Sequence, residues 1–206
     1  MKIALPFAAL FFTVSLLNGQ ITVTQNDFAN AGDTVRMSTA VVDYFLNYSN
    51  NGPNTSWDFS SLQMSDQNVD KFQDALTASY YYSLYFSNTG LNSHRSNIAV
   101  QQPNPSVNIP LVTVTDVYNY YYKTSSKYEQ MGIGEKINGL PTPVGFSSPD
   151  VLYRFPLNYG DADTSSSGYQ VSLPTLGYFG YHQTRINHVD GWGAVTTPFG
   201  SFDALR

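Results

Sequence analysis

The sequence predicts an all-β fold, an antiparallel β-sandwich or a partly open barrel built from hairpins, and three observations carry that expectation. Asn138-Gly139, between Ile137 and Leu140, is the strongest short hairpin signal in the chain. Both residues accept the positive φ angles of a two-residue turn whose twist matches that of the flanking strands. Thr197-Pro198-Phe199-Gly200 is a second hairpin, in which proline presets the first turn position and Gly200 supplies the residue that follows a type I turn. Between residues 111 and 123, Val112, Val114, Tyr118, Tyr120 and Tyr122 fall on even positions, interrupted only by Asp116, while Thr113, Thr115, Asn119 and Lys123 fall on odd ones. A period of two with one apolar face is a half-buried strand.

Residues 1–19 stand outside this pattern. Lys2 precedes a nearly unbroken apolar run over 3–17, followed by Asn18-Gly19. The run has the length of a signal-peptide core and is shorter than the roughly 20 residues of a membrane span. Residues 1–19 are therefore expected to be a signal peptide cleaved after Gly19, although Leu17 departs from the small-residue rule at the cleavage site. No cysteine follows the run, which excludes a lipid-anchored lipoprotein. Residues 20–206 then form a single β-rich domain in which no other stretch is able to cross a membrane.

Along that domain, 21–24 (ITVT) alternates as a first strand, 30–33 is a turn, and 34–37 is a second short strand. Residues 44–56 are rich in Asn, Ser, Gly and Pro and read as a long surface loop. The loop delivers the chain to Trp57-Asp58-Phe59, where Trp57 is expected to be a buried anchor. A strand is expected over 69–76. The run 79–86 (SYYYSLYF) fits neither period, and a short helix over 74–84 is one reading of it. After the Pro-rich break at 102–110 and the strand at 111–123, residues 125–127 turn the chain into 128–134. Pro141 and Pro143 limit the next stretch to an edge strand or a loop. Then come a strand at 151–155, a loop at 158–168, a strand at 169–173 and a long strand at 176–189 bent at Gly180. Trp192, Ala194 and Val195 lead into the last hairpin; Phe202, Ala204 and Leu205 lead out. Because the second arm is still apolar at Arg206, the domain is expected to be truncated at its C-terminal end.

Composition narrows the function. The formal charge is −5, one unit more negative once Lys2 leaves with the signal, which argues against nucleic acid and anionic membranes as partners. Charged residues are 12% of the chain, about half the usual ~25%. Aromatics are 15%, with sixteen tyrosines, so the surface is covered by uncharged polar groups, as suits an extracellular β-protein. The absence of cysteine excludes small disulfide-stapled scaffolds, Cys metal sites and Cys nucleophiles.

Few residues suggest chemistry. His182 and His188, six apart on one strand, lie about 20 Å from one another and do not converge on one metal if the strand is straight; His94 is remote in sequence. Asp161, Asp163 and Ser165, in GDADTSSSG, alternate oxygen donors as a calcium loop does. They lack its sixth-place glycine (Ser166 stands there) and its twelfth-place glutamate (Ser172). The only glutamates are Glu129 and Glu135, and nothing in their spacing pairs either with an aspartate for acid–base hydrolysis. No nucleophile elbow, phosphate loop or His-Glu-x-x-His helix is present. Among the tyrosine runs, an outward ring such as Tyr121 is a candidate for stacking on sugar or peptide, and Trp192 is the second candidate binding aromatic.

The chain resembles an uncharacterised family of secreted β-rich proteins from bacteria with type IX secretion. The resembling residues are Gln20-Ile21-Thr22-Val23-Thr24, Gly32-Asp33-Thr34-Val35-Arg36 and Thr55-Ser56-Trp57-Asp58-Phe59-Ser60. Later come Ile137-Asn138-Gly139-Leu140-Pro141-Thr142-Pro143 and Tyr153-Arg154-Phe155-Pro156-Leu157-Asn158-Tyr159-Gly160-Asp161. The last are Val189-Asp190-Gly191-Trp192-Gly193 and Thr197-Pro198-Phe199-Gly200-Ser201-Phe202. The resemblance implies export to the extracellular space or outer cell surface, with a sorting domain after the β-domain, and implies no activity. The last hairpin is also similar to hairpins of periplasmic half-barrel proteins related to lipoprotein carriers.

Three functions are therefore in view. The leading one is a non-enzymatic exported or cell-surface module that binds glycan or protein or serves as a spacer. The second is a half-barrel carrier of an apolar ligand, and the third a hydrolase built from loops. No cofactor is expected unless calcium occupies the Asp161 segment.

Overall fold

The computed structural model of the chain describes residues 19–87, 93–105, 110–173 and 177–206. The expected signal peptide falls almost wholly outside them. Among the described residues eleven strands form two sheets: β1 (Thr34–Ala40), β2 (Gly52–Asp58), β3 (Met64–Gln73), β4 (Ile98–Gln101), β5 (Val114–Lys123), β6 (Lys127–Ile137), β7 (Leu140–Arg154), β8 (Ala162–Leu173), β9 (Gly177–His188), β10 (Gly191–Thr197) and β11 (Gly200–Leu205). The large sheet runs β1-β3-β4-β5-β6-β7-β8-β9 and the small one β11-β10-β2. The architecture is nearly all β and mostly antiparallel. The outer strands β1 and β9 do not pair with each other, so the sheet is not a closed barrel. Among the described residues no helix is long and apolar enough to cross a membrane.

The predicted turns form as their chemistry requires. Asn138 and Gly139 take φ values of 51° and 80° and join β6 to β7 through the pair Ile137 and Leu140. In the last hairpin Thr197 pairs with Gly200, and the Thr197 hydroxyl accepts from the Phe199 amide at 3.1 Å. Asp116, the break in the alternation of β5, sits at φ 56° where the register with β6 shifts.

Several expectations are corrected. Residues 21–24 do not form a strand; Val23 bridges Leu157, and Thr24 caps a 3-10 turn at Gln25–Asp27. The expected loop 44–56 ends early, because β2 begins at Gly52. β2 pairs with β10 in parallel, the one departure from antiparallel order among the described strands. The helix expected over 74–84 reduces to turns and the single-turn α1 (Ser83–Phe86). β7 runs straight through Pro141 and Pro143. It tolerates them because a proline needs only one free ladder side, and β7 meets β8 in register solely at Ser148 and Gly168. Hydroxyls join these two strands instead: Ser147 and Ser148 donate to the carbonyls of Gly168 and Ser166, both at 2.9 Å. The loop expected over 158–168 closes at Asp161, since β8 pairs with β9 without a register shift from Ala162 opposite His188 to Leu173 opposite Gly177. The long strand expected to start at residue 176 has Gly177 as its first described residue.

The large sheet carries one core cluster on each face. Tyr82, Phe86, Ala99, Tyr118 and Tyr120 form the first, covered by the 74–87 segment. Gly132 and Gly134 make that cover fit: a Cβ on Gly132 would lie 2.8 Å from Phe86, and one on Gly134 2.6 Å from Tyr82. Ile98, Val100, Tyr128 and Phe155 form the second, with Phe28 and Leu157 packed against it. Ala99 points to one face while its neighbours Ile98 and Val100 point to the other, as strand alternation demands. Lys123 fixes the Phe28 segment over the second cluster by donating to the carbonyls of Gln25, Phe28 and Ala29 at 3.1, 2.7 and 3.0 Å.

Candidate functional site

Phe28 covers the second face over Tyr128 of β6 and Tyr153 of β7, and farther along β7, with β8 and β9 beside it, the strands set three aromatic rings in a row. Tyr169 and Tyr181 are direct cross-strand partners, and Phe146 reaches Tyr169 from β7. Ring centroids are 5.5 Å apart at both steps, with interplanar angles of 23° and 26°. Offset stacking of this kind adds about 0.5–1.5 kcal/mol per pair beyond area burial. Exposure rises along the row: Phe146 is 4% exposed, Tyr169 half-buried, and Tyr181 46% exposed on the edge strand. Among the described residues β9 is the outer strand of the sheet, and Tyr181 is the most exposed ring of the row.

Beside the rings is a hollow of about 250 Å³, whose polar lining comes from Gln130, Asp150, Gln183 and Arg185. Arg185 grips Asp150 with two prongs, Nε to Oδ1 at 2.9 Å and Nη2 to Oδ2 at 2.6 Å. The Asp150 side chain is 2% exposed and that of Arg185 36%; the hydrogen bond to Asp150 is the main reason the guanidinium pKa is raised. The Tyr181 hydroxyl donates to Gln183 Oε1 at 2.5 Å, and Gln130 Nε2 donates to Asn119 Oδ1 at 3.2 Å. Burial, then the charge of Glu135, push the Tyr169 hydroxyl pKa up, so it stays protonated and able to donate at neutral pH. The Glu135 carboxyl is itself raised by burial. Ser167, opposite Gln183 in the register, is 2% exposed, and its hydroxyl finds no hydrogen-bond partner among the described residues.

The residues singled out in the sequence fall elsewhere or change role. Tyr121 is not an outward ring. Tyr120 and Tyr121 point to opposite faces by ordinary alternation, opposite Ala99 and Ile98 of β4, and both faces are covered there: Tyr120 enters the first cluster, and Tyr121 packs against the second, 5.3 Å from the Tyr128 ring. Trp192 sits half-buried in the small sheet, opposite Leu205 and at the register shift between Gly191 and Gly193. Asp163 and Ser165 belong to β8 rather than to a flexible loop. Asp161 Oδ2 accepts from the Asn158 amide at 2.7 Å, Asp163 Oδ1 from Arg154 at 2.8 Å, and the Ser165 hydroxyl donates to the Val151 carbonyl at 3.3 Å. These bonds give the three oxygens structural partners. Among the described residues no group of three or more His, Cys, Asp or Glu converges as a metal site. His182 and His188 are both on β9, and His94 stacks on Tyr85 with centroids 5.1 Å apart.

Sequence reasoning missed the aromatic row. Phe179, Tyr181, Gln183 and Arg185 alternate legibly along one strand face, but Phe146 and Tyr169 join them only through strand register. No protein-family model, curated protein or solved structure matches the chain.

Proposed function

We propose that the chain is an exported, non-enzymatic module that holds saccharide on the open aromatic face of β7, β8 and β9. The observation that supports this reading is the row Phe146–Tyr169–Tyr181 beside a shallow hollow with two amides and a guanidinium. A sugar ring has an apolar C–H face, which packs on an aromatic ring, and equatorial hydroxyls, which need donors and acceptors at its rim. Recognition sites combine the same two ingredients: apolar and aromatic surface, with a few placed polar groups. Asp150, the carboxylate lining the hollow, is held by both oxygens to Arg185, an arrangement suited to positioning rather than to proton transfer.

Titration of neutral oligosaccharides (cellohexaose, mannohexaose, xylohexaose and laminarihexaose) into the protein tests the reading. At least one is expected to bind, and Tyr181→Ala to weaken it roughly tenfold, the effect of removing one stacked ring, with little change in melting temperature because Tyr181 is 46% exposed. No binding across the panel, or binding indifferent to Tyr181, would overturn it. The export half rests on the basic start and apolar run of residues 1–19. Protein recovered outside the cytoplasm is expected to begin at or near Gln20, and an intact Met1 there would contradict export.

A further inference from the structure

We infer that this face selects uncharged saccharide over acidic saccharide, with Arg185 serving as a hydroxyl donor rather than an anion receptor. The inference rests on the saccharide reading above and adds the ligand's charge to it.

A guanidinium has five N–H groups in a fixed fork. Asp150 takes the one on Nε and one on Nη2, leaving both hydrogens of Nη1 and the second of Nη2. The exposures show which partner meets solvent: Asp150 is enclosed, and Arg185 is the open member of the pair. The free donors therefore belong to the group a ligand can reach.

The charge of that group is cancelled at hydrogen-bond distance. The other residues lining the hollow (Gln130, Ile133, Phe146, Tyr169, Tyr181 and Gln183) are uncharged, and no second cation lines it among the described residues. Glu135 adds negative charge nearby, close enough to raise the Tyr169 hydroxyl pKa. The chain as a whole is acidic. A uronate would meet no uncompensated positive charge there. A uronate on the free N–H groups would be a second carboxylate on one guanidinium already paired with Asp150, with no further cation in the lining to offset the like-charge repulsion. A hydroxyl pair accepts from the free N–H groups and leaves the Asp150 contact intact. Gln183 and the Tyr169 hydroxyl supply further uncharged partners at the rim.

The test uses the whole chain and matched ligands that differ only at C6: β-1,4-mannohexaose against the β-1,4-mannuronate hexamer, and cellohexaose against its glucuronate counterpart. Calorimetric titration at low and high salt is expected to show the neutral member of a pair binding at least about tenfold more tightly. Its affinity is expected to be insensitive to salt, because no net charge is brought together. Equal or tighter binding of the carboxylate member, or affinity for the neutral member that falls as salt rises, would overturn the inference and leave the saccharide reading standing. Binding of neither member of either pair would overturn this inference and count against the saccharide reading on which it rests.

Discussion

Trp57→Ala is expected to cost about 3–5 kcal/mol in a denaturant melt, the range for truncating a large aromatic in a core. Trp57 is 4% exposed and stands on β2, which the parallel pairing with β10 holds in the small sheet. The seat is specific. The indole Nε1–H donates to the Asn50 carbonyl at 2.9 Å, and a Cβ on Gly191 would lie 3.3 Å from the indole edge, so that glycine leaves room for the ring. Alanine there opens a void and leaves the Asn50 carbonyl without its donor. Trp57→Phe separates the two effects, since it keeps most of the packing and removes the hydrogen bond, itself worth about 0.5–1.5 kcal/mol. A loss below roughly 1 kcal/mol for the alanine variant, far under the range for a core aromatic, would show that the ring contributes little to the fold.

Arg185→Met is expected to destabilise the protein by about 3 kcal/mol at neutral pH, since breaking a buried ion pair from one side usually costs about 3–5 kcal/mol. The lower end applies because Arg185 is 36% exposed and water can enter where it stood. The cost comes from Asp150, which is left enclosed and charged. Adding Asp150→Leu to Arg185→Met is expected to recover most of the loss, because a buried pair replaced by apolar groups is often neutral. A single variant as stable as the parent, or a double variant no better than the single, would show that Asp150 does not depend on Arg185. The aromatic row predicts the opposite behaviour for Tyr181, whose removal affects binding and hardly affects stability. The open face thus combines a rigid charged pair beneath with an exposed ring at its edge.

How much of this was legible in the chain depended on the range of the interaction responsible. Sequence alone determined the all-β class, the two tight hairpins at Asn138-Gly139 and Thr197–Gly200, and the burial of Trp57. It also determined the inward course of Tyr118 and Tyr120 on β5. Each arises from residues within a few positions of one another: a turn from its own φ preferences, an amphipathic strand from its own alternation. Tertiary structure decided the rest. GPNTSWD has little strand propensity, yet it becomes β2, because Gly191–Thr197 offers its backbone a ladder from far along the chain. Strand propensity chiefly reflects such context. Residues 162–168 become the first half of β8 for the same reason, once β9 lies in register beside them. Tyr121 keeps the face its alternation gives it, opposite Ile98, and is inward because residues distant in the chain, Phe28 and Leu157 among them, cover that face as well. The candidate site itself is a product of register. Phe146, Tyr169 and Tyr181 lie on three different strands, and Asp150 meets Arg185 across 35 residues. Alternation places each side chain on a face of its own strand, but only the pairing of β7, β8 and β9 makes those faces one surface.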